Sequence, residues 1–314
     1  MSAFEERKMA FMTIQQWEND LLQWIPSNNI KTNETLKKYT MTKLGGKADI
    51  LVLPETEEQA AAVVKYASEN NVPLLMLGNG SNMVVRDGGV RGIVLHFALL
   101  DEIRIEGNIV YAQSGALIKE VSKQVAAKSL TGFEFACGIP GSIGGAMAMN
   151  AGAYGGEIKD VVIACTILTP EGERIVLNNE QLELSYRKSI IAKKGYYVLS
   201  ATFELAQGDQ QEIDDKIADL TFQRESKQPL EYPSAGSVFK RPPGYFAGKL
   251  IQDSELQGKG IGGAEVSTKH AGFIVNKNNA TAKDYIETIQ MVQRVVKDKF
   301  DIDLEMEVKI VGED

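Results

Sequence analysis

Residues 138–157 read GIPGSIGGAMAMNAGAYGGE, and together with GNGSNMVV at 78–85 they decide how the chain must fold. Phe135 to Gly156 is a run of 22 residues without a charge, seven of them glycine. A membrane span needs roughly 20 predominantly apolar residues. This run owes its length to small residues and is broken by Pro140 and Asn150, so it reads as a glycine-rich loop, and no membrane insertion is expected. Glycine lets a backbone come close to a phosphate. Gly78-Asn79-Gly80-Ser81-Asn82-Met83 starts like the G-x-G-x-x-G dinucleotide fingerprint, but Met83 stands at the third glycine position. A strand pattern follows it instead of a helix, so a Rossmann site fails on both counts. No GxxxxGK[ST] loop occurs. Two glycine loops remain that can cradle one pyrophosphate from opposite sides, with two tight structural turns as the alternative.

Outward from these loops the pattern alternates between helix and strand. Ile14, Trp17, Leu21 and Trp24 recur at helical spacing. Thr56-Glu57-Glu58-Gln59 reads as a capping box opening a helix to about Asn70. Strands are expected at 74–77, 83–86, 93–96 and 109–113, and a helix at 117–127. A hairpin is expected at 161–177 around Pro170-Glu171-Gly172, then a strand at 197–205. The composition turns polar at Gly208, where a charged helix to about Glu225 opens a new domain. A strand at 271–276 and a helix ending at Phe300 follow. Ile302, Leu304, Met306, Val308 and Ile310 alternate strictly with charged residues, which predicts one half-buried strand with Glu305, Glu307 and Lys309 on its outer face. The class is α+β with mixed sheets.

The 314 residues carry 34 Lys+Arg against 42 Asp+Glu, a net charge of -8, which argues against nucleic acid as a partner. Cys137 and Cys165 have neither disulfide nor zinc spacing, so no metal is expected and a reducing, cytoplasmic setting is. No signal-peptide h-region is read in the first twenty residues. Pro140-Gly141-Ser142-Ile143-Gly144 misses the nucleophile elbow at its first position. The two histidines, His96 and His270, rule out a His-rich metal site, and His96 reads as a satisfied core or edge residue. Ser237 lies in PSAGSVFK, a small-residue turn with Arg224, Lys227, Lys240 and Arg241 nearby, so either an anion site or a solvated basic patch is expected there.

The stretches GNGSNMVV (78–85), GIPGSIGGAMAMNAGAYGGE (138–157), SYRKS (185–189), PSAGSVFKRP (233–242) and LEMEVKIVG (304–312) together resemble the UDP-N-acetylenolpyruvoylglucosamine reductases, in their shorter, second-class form. The resemblance runs over about residues 36–312. It implies a vanillyl-alcohol-oxidase-type FAD-binding module in two parts, 1–79 and 80–207, with strand 304–314 returning to the first part, and a substrate domain at 208–303. It implies FAD as bound cofactor and NADPH as co-substrate, reducing a UDP-linked enolpyruvyl sugar for peptidoglycan synthesis, in a monomer. Arg187, Ser237 and Glu307 correspond to the catalytic positions. Asn79, Gly80, Ser81, Asn82, Gly138, Ile139, Pro140, Gly141, Ser142, Gly145, Asn150 and Gly152 correspond to cofactor contacts. Tyr154, Arg224, Lys227, Arg241 and His270 correspond to substrate contacts. Lys309 departs from the pattern, since many relatives carry Arg there. A flavin- or nucleotide-binding protein without a cell-wall role is the alternative.

Overall fold

The run Ala48–Val52 is buried throughout, as a strand must be when both of its faces are covered. The computed structural model describes residues 13–314; the first twelve, part of the stretch read for a signal peptide, lie outside the described residues. Helix α1 (Ile14–Leu21) begins at Thr13 in a capping box with Gln16. Strands β1 (Ile30–Thr35) and β2 (Lys47–Val52) pair antiparallel. Helix α2 (Glu57–Glu69) then crosses to β3 (Leu74–Leu77), and β4 (Met83–Val85) leads into β5 (Val90–His96). The sheet order is β1-β2-β5-β3, with β5 parallel to both neighbours. Only half of the expected capping box forms on α2. Thr56 accepts from the Gln59 N–H, but the Gln59 side chain takes the N–H of Glu55 at 2.7 Å, one residue early. The expected boundary at residue 79 falls inside this sheet, because the chain returns after the first glycine loop to fill the gap between β2 and β3.

The next unit holds β6 (Ile103–Glu106), β7 (Ile109–Gln113), α3 (Ile118–Ala126), β8 (Leu130–Thr131), α4 (Ile143–Met149), β9 (Gly152–Ala153), β10 (Gly156–Glu157), β11 (Val162–Leu168), β12 (Arg174–Asn178), α5 (Ile190–Lys194) and β13 (Tyr197–Glu204). Its main sheet is antiparallel in the order β12-β11-β13-β7-β6. The second glycine loop runs straight into α4. Ile143 and Met147, one helical turn apart, are wholly buried. Each such burial contributes about 1.5–3 kcal/mol, which holds a helix far too short to form alone.

After β14 (Ala206–Gln207) comes the charged helix α6 (Gln210–Lys227), capped by Asp209. The remaining elements are β15 (Ser234–Ser237), α7 (Ala247–Asp253), β16 (Gly260–Ile261), β17 (Ala264–Val266), β18 (Phe273–Asn276), α8 (Ala282–Phe300) and β19 (Lys309–Val311). The sheet β15-β18-β17-β16 is covered by α8 through Tyr285, which is fully buried and donates its hydroxyl to the Ile274 carbonyl at 2.7 Å. Strand β19 runs parallel to β4. The single alternating strand expected from Ile302 to Ile310 does not form. Residues 305–308 bond to Val238–Lys240, and only from Lys309 does the chain join β4. The change of partner breaks the alternation: Met306 is 37% exposed, while Leu304 and Val308 are buried. Among the described residues no helix is long and apolar enough to cross a membrane.

Polar contacts tie the last unit to the others. The Asp87 carboxylate accepts from the N–H groups of Ala282 and Lys283 at the start of α8, each at 3.0 Å, where a negative charge is favoured. Asn276 donates to the Thr42 carbonyl, and Lys216 of α6 pairs with Glu134 at 3.1 Å. Burial alone would raise the Glu134 carboxyl. Bonds from Thr131, Lys216 and the Gly132 N–H outweigh it and hold the group below the usual carboxylate range. Glu134 therefore adds stability above its unfolded value of about 4.3, and that stability is lost as the pH falls through the lower folded value. Glu134→Ala is expected to cost about 1–3 kcal/mol at pH 7 through the lost hydrogen bonds, and the gap between the thermal melts of mutant and wild type should narrow as the pH falls.

Candidate active site

Three side chains from three parts of the chain meet at one wall. Ser237 ends β15, where Ser234 faces Val275 and Ser237 faces Phe273, so β15 holds one residue more than its partner. Gly236 takes the left-handed conformation, φ 74°, that this bulge needs, and the bulge turns Ser237 outward. Glu307 is set beside it by its own N–H, which donates to the Val238 carbonyl at 2.8 Å. Arg187 sits on the turn Ser185–Lys188, whose ends exchange both backbone hydrogen bonds at 3.1 and 3.0 Å. It occupies the second central position with φ 56°, where glycine is the comfortable residue, at a cost of roughly 1–2 kcal/mol.

Arg187 Nε donates to Glu307 Oε1 at 2.7 Å, and the side chains are only 19% and 11% exposed. A second bond runs from Arg187 Nη2 to the Gly152 carbonyl at 3.3 Å. Of the five N–H donors of a guanidinium, three are left over for a ligand. Burial pushes the Glu307 carboxyl above the ordinary range, against the pull of Arg187. Its face is thus not the wet row that alternation implies. Glu305, two residues earlier, is exposed and paired with Lys240.

Arg187, Ser237 and Glu307 line two cavities at once. One, of about 430 Å³, also touches Ser81, Asn82, Ile139, Pro140 and Gly152. The other, of about 650 Å³, lies among Tyr186, Arg241, Lys249, Lys269 and His270. The 430 Å³ cavity shares Ser81, Asn82 and Ile139 with a narrow one of about 130 Å³ between the two glycine loops, where Gly80, Gly141 and Gly145 lie. That one shares Gly78, Asn79 and Ser142 with a further cavity of about 410 Å³ against His96 and Gly115. The result is one long tract past both loops, clamped where Asn79 donates to the Pro140 carbonyl at 2.5 Å.

Four sequence candidates do not line the tract or the outer cavity. Gly138 lies under Arg224; a Cβ there would stand 2.5 Å from its Cδ. Asn150 is wholly buried and bonded within the protein. Tyr154 tips the β9–β10 hairpin beside Arg224, with positive φ at both central residues, 54° and 90° in Tyr154 and Gly155. Burial raises the Tyr154 hydroxyl and lowers the Arg224 guanidinium. Lys227 is exposed at the end of α6. Arg241 stacks on Phe246, 3.8 Å from the ring centroid. His270 Nδ1 accepts from the Gly272 N–H at 3.1 Å, and burial lowers its pKa. His96, read as a core residue, donates Nδ1–H to the Leu77 carbonyl and also lines the tract. Sequence reasoning missed Gly115 as a lining residue; a Cβ there would fall 1.8 Å from the Phe97 carbonyl oxygen, so only glycine fits.

Residues 48–178 match a family model described as an FAD binding domain, and 228–311 match the C-terminal domain of UDP-N-acetylenolpyruvoylglucosamine reductase. A reductase of that name from Geobacillus kaustophilus is 60% identical over 294 residues, covering 94% of this chain and 97% of the relative. The chain belongs to the UDP-N-acetylenolpyruvoylglucosamine reductase family. A Listeria monocytogenes reductase is 57% identical over 94% of the chain. The crystal structure of the Thermus caldophilus enzyme superposes with a TM-score of 0.79 at 33% identity, covering 89% of this chain and 98% of that one. The two matched domains and the mixed sheets give the α+β class with an FAD-binding module.

The tract of this reductase-family chain fits FAD. Ser142 Oγ is buried without a hydrogen-bond partner among the described residues, at the junction of the 130 and 410 Å³ cavities. A buried hydroxyl left so calls for a polar ligand atom. A Cβ on Gly78 would stand 2.7 Å from that oxygen, so the space beside it exists only because residue 78 is glycine. Gly78→Ala is accordingly expected to purify with FAD content reduced by more than half while its far-UV spectrum is unchanged. Full flavin absorbance in that variant would place the cofactor elsewhere.

Proposed function

We propose that the protein reduces UDP-N-acetylenolpyruvoylglucosamine to UDP-N-acetylmuramate, with NADPH as the reductant, in the synthesis of peptidoglycan. The observation that carries this is the wall of Arg187, Ser237 and Glu307 between a dinucleotide-sized tract and a cation-lined outer cavity. FAD, when bound, would supply the redox chemistry that links NADPH to C3 of the enolpyruvyl group. Residues 79–82, 139–142, 145 and 152 would hold it along the tract.

The chain's own residues then answer two demands. As C3 gains hydride, negative charge spreads into the adjoining carboxylate. A cation already fixed beside that charge lowers the barrier without reorganising. Arg187 fills this role, with its Nε held by Glu307 and its remaining N–H groups open to a carboxylate. Ser237, turned outward by the bulge, gives its hydroxyl proton to C2 and completes the saturated ether. Arg241, Lys249 and Lys269 of the outer cavity suit the anionic diphosphate of the sugar nucleotide, while Arg224, on the tract side, suits a phosphate or carboxylate oxygen at the other end. Two unpaired cysteines suit the reducing cytoplasm.

Consumption of NADPH that depends on the enolpyruvyl sugar nucleotide tests the reading directly. A yellow protein without that dependence would instead be a flavoprotein of another kind. Ser237→Ala should keep its FAD and its reduction by NADPH, while reoxidation by the sugar nucleotide slows by about 10²–10⁴-fold. An unaltered reoxidation trace in stopped flow would remove Ser237 from the mechanism.

Glu307 and Glu305 form an internal comparison. Glu307→Gln breaks a buried ion pair that holds the guanidinium, so reoxidation should fall by about 10²–10³-fold. Glu305→Gln loses an exposed pair worth about 0–1 kcal/mol and should be nearly silent in the same assay. Equal, small effects at both positions would return Glu307 to a merely structural role.

A further inference from the structure

Asn150 ends α4 in the left-handed conformation, φ 46°, and has no exposed surface. All of its side-chain bonds stay inside the protein. Nδ2 donates to Glu157 Oε2 at 2.7 Å and to the Ser185 carbonyl at 3.2 Å, while Oδ1 accepts from the Lys159 N–H at 3.0 Å. Ser185 is the first residue of the turn that carries Arg187. The far side of that turn is fastened to the same helix, since Ser189 Oγ donates to the Ala148 carbonyl at 2.6 Å. Both ends of the Arg187 turn therefore hang on the last residues of α4, and the first residues of α4 belong to the glycine loop of the cofactor tract. A seven-residue helix spans roughly 10 Å.

We propose that Asn150 is a positioning residue: it contacts no cofactor, and through the Ser185 carbonyl it sets where the Arg187 guanidinium stands relative to the tract. This rests on the reading of Arg187 as the group that stabilises the developing carboxylate charge. Helix α4 acts as a fixed spacer with the cofactor loop at one end and the Arg187 turn at the other. Asn at its end serves two purposes, because it tolerates the left-handed backbone and supplies the amide that grips the turn. Glycine there would keep the backbone and lose the grip.

The test is a cycle of Asn150→Gly, Arg187→Ala and the double variant, each followed through flavin reduction by NADPH and reoxidation by the sugar nucleotide. A displacement of about 1 Å at a reacting group can cost about 10²-fold. In the wild-type background Asn150→Gly should slow reoxidation by about 10–10²-fold, with FAD content and reduction rate kept. In the Arg187→Ala background the same change should cost less than about twofold, because the group it positions is gone. The same large factor in both backgrounds, or loss of FAD with normal reoxidation per bound flavin, would overturn the proposal. If the glycine variant does not fold, Asn150→Asp keeps the volume and backbone and places an oxygen against the Ser185 carbonyl. A crystal structure of either variant supplies a readout independent of rate. Arg187 Nε should move out of hydrogen-bond reach of Glu307, and a contact still at the wild-type distance would sink the idea. Should Arg187→Ala itself reoxidise normally, the catalytic reading of Arg187 fails, and the structure still judges the positioning.

Discussion

The Arg187–Glu307 pair is the constraint around which the rest is arranged. It joins residues 120 apart in sequence and draws together the turn after the second glycine loop and the segment preceding β19. Buried ion pairs contribute little net stability, because desolvation offsets most of the attraction. A well-packed apolar contact would hold these segments as firmly. What the pair supplies is a cation with one face fastened and the other open, at a depth where water screens it weakly. The left-handed turn at Arg187 and the segment that bonds to Val238 before β19 carry the two halves of that pair.

Left-handed backbone recurs through the chain, and three of its non-glycine positions lie near this pair. Asn150, Tyr154 and Arg187 all have positive φ, and none is glycine. Each costs on the order of 1–3 kcal/mol that the surrounding hydrogen bonds and packing must offset. The offset is visible at Asn150 in three internal bonds and at Arg187 in a doubly bonded turn clamped to α4. Glycine in place of Arg187 would relax its turn and remove a side chain that both cavities display.

Much of this was legible in the residues. The glycine loops pointed to close approach, which the structure shows where a Gly78 Cβ would stand 2.7 Å from Ser142 Oγ, because close approach leaves a local signature. Most helices and strands followed their periodicity, since each buries one face on a neighbour. Long-range pairing was not legible. Nothing in Val90–His96 says that it lies between β2 and β3, and so the first boundary was set too early. Alternation over 302–310 hid a segment that leaves Phe239 for Met83, so Met306 turned out exposed and Glu307 enclosed. Asn150 looked like a ligand contact because it stands in the loop motif, and only the hydrogen bonds to Glu157, Lys159 and Ser185 show where its polar atoms go. The resemblance supplied Arg187 and Glu307, which periodicity alone could not separate from ordinary surface charges.

The wall shared by the 430 and 650 Å³ cavities has a thermodynamic corollary. An occupant of the inner space and an occupant of the outer space touch opposite sides of the same guanidinium, hydroxyl and carboxyl. An occupant that alters the field or the rotamers of those groups on one side alters what the other side meets. Linkage then makes the influence mutual: whatever factor the outer occupant applies to retention of the inner one, the inner one applies to affinity for the outer. The partition thus works as a transmitter of free energy between two guests that never exchange places.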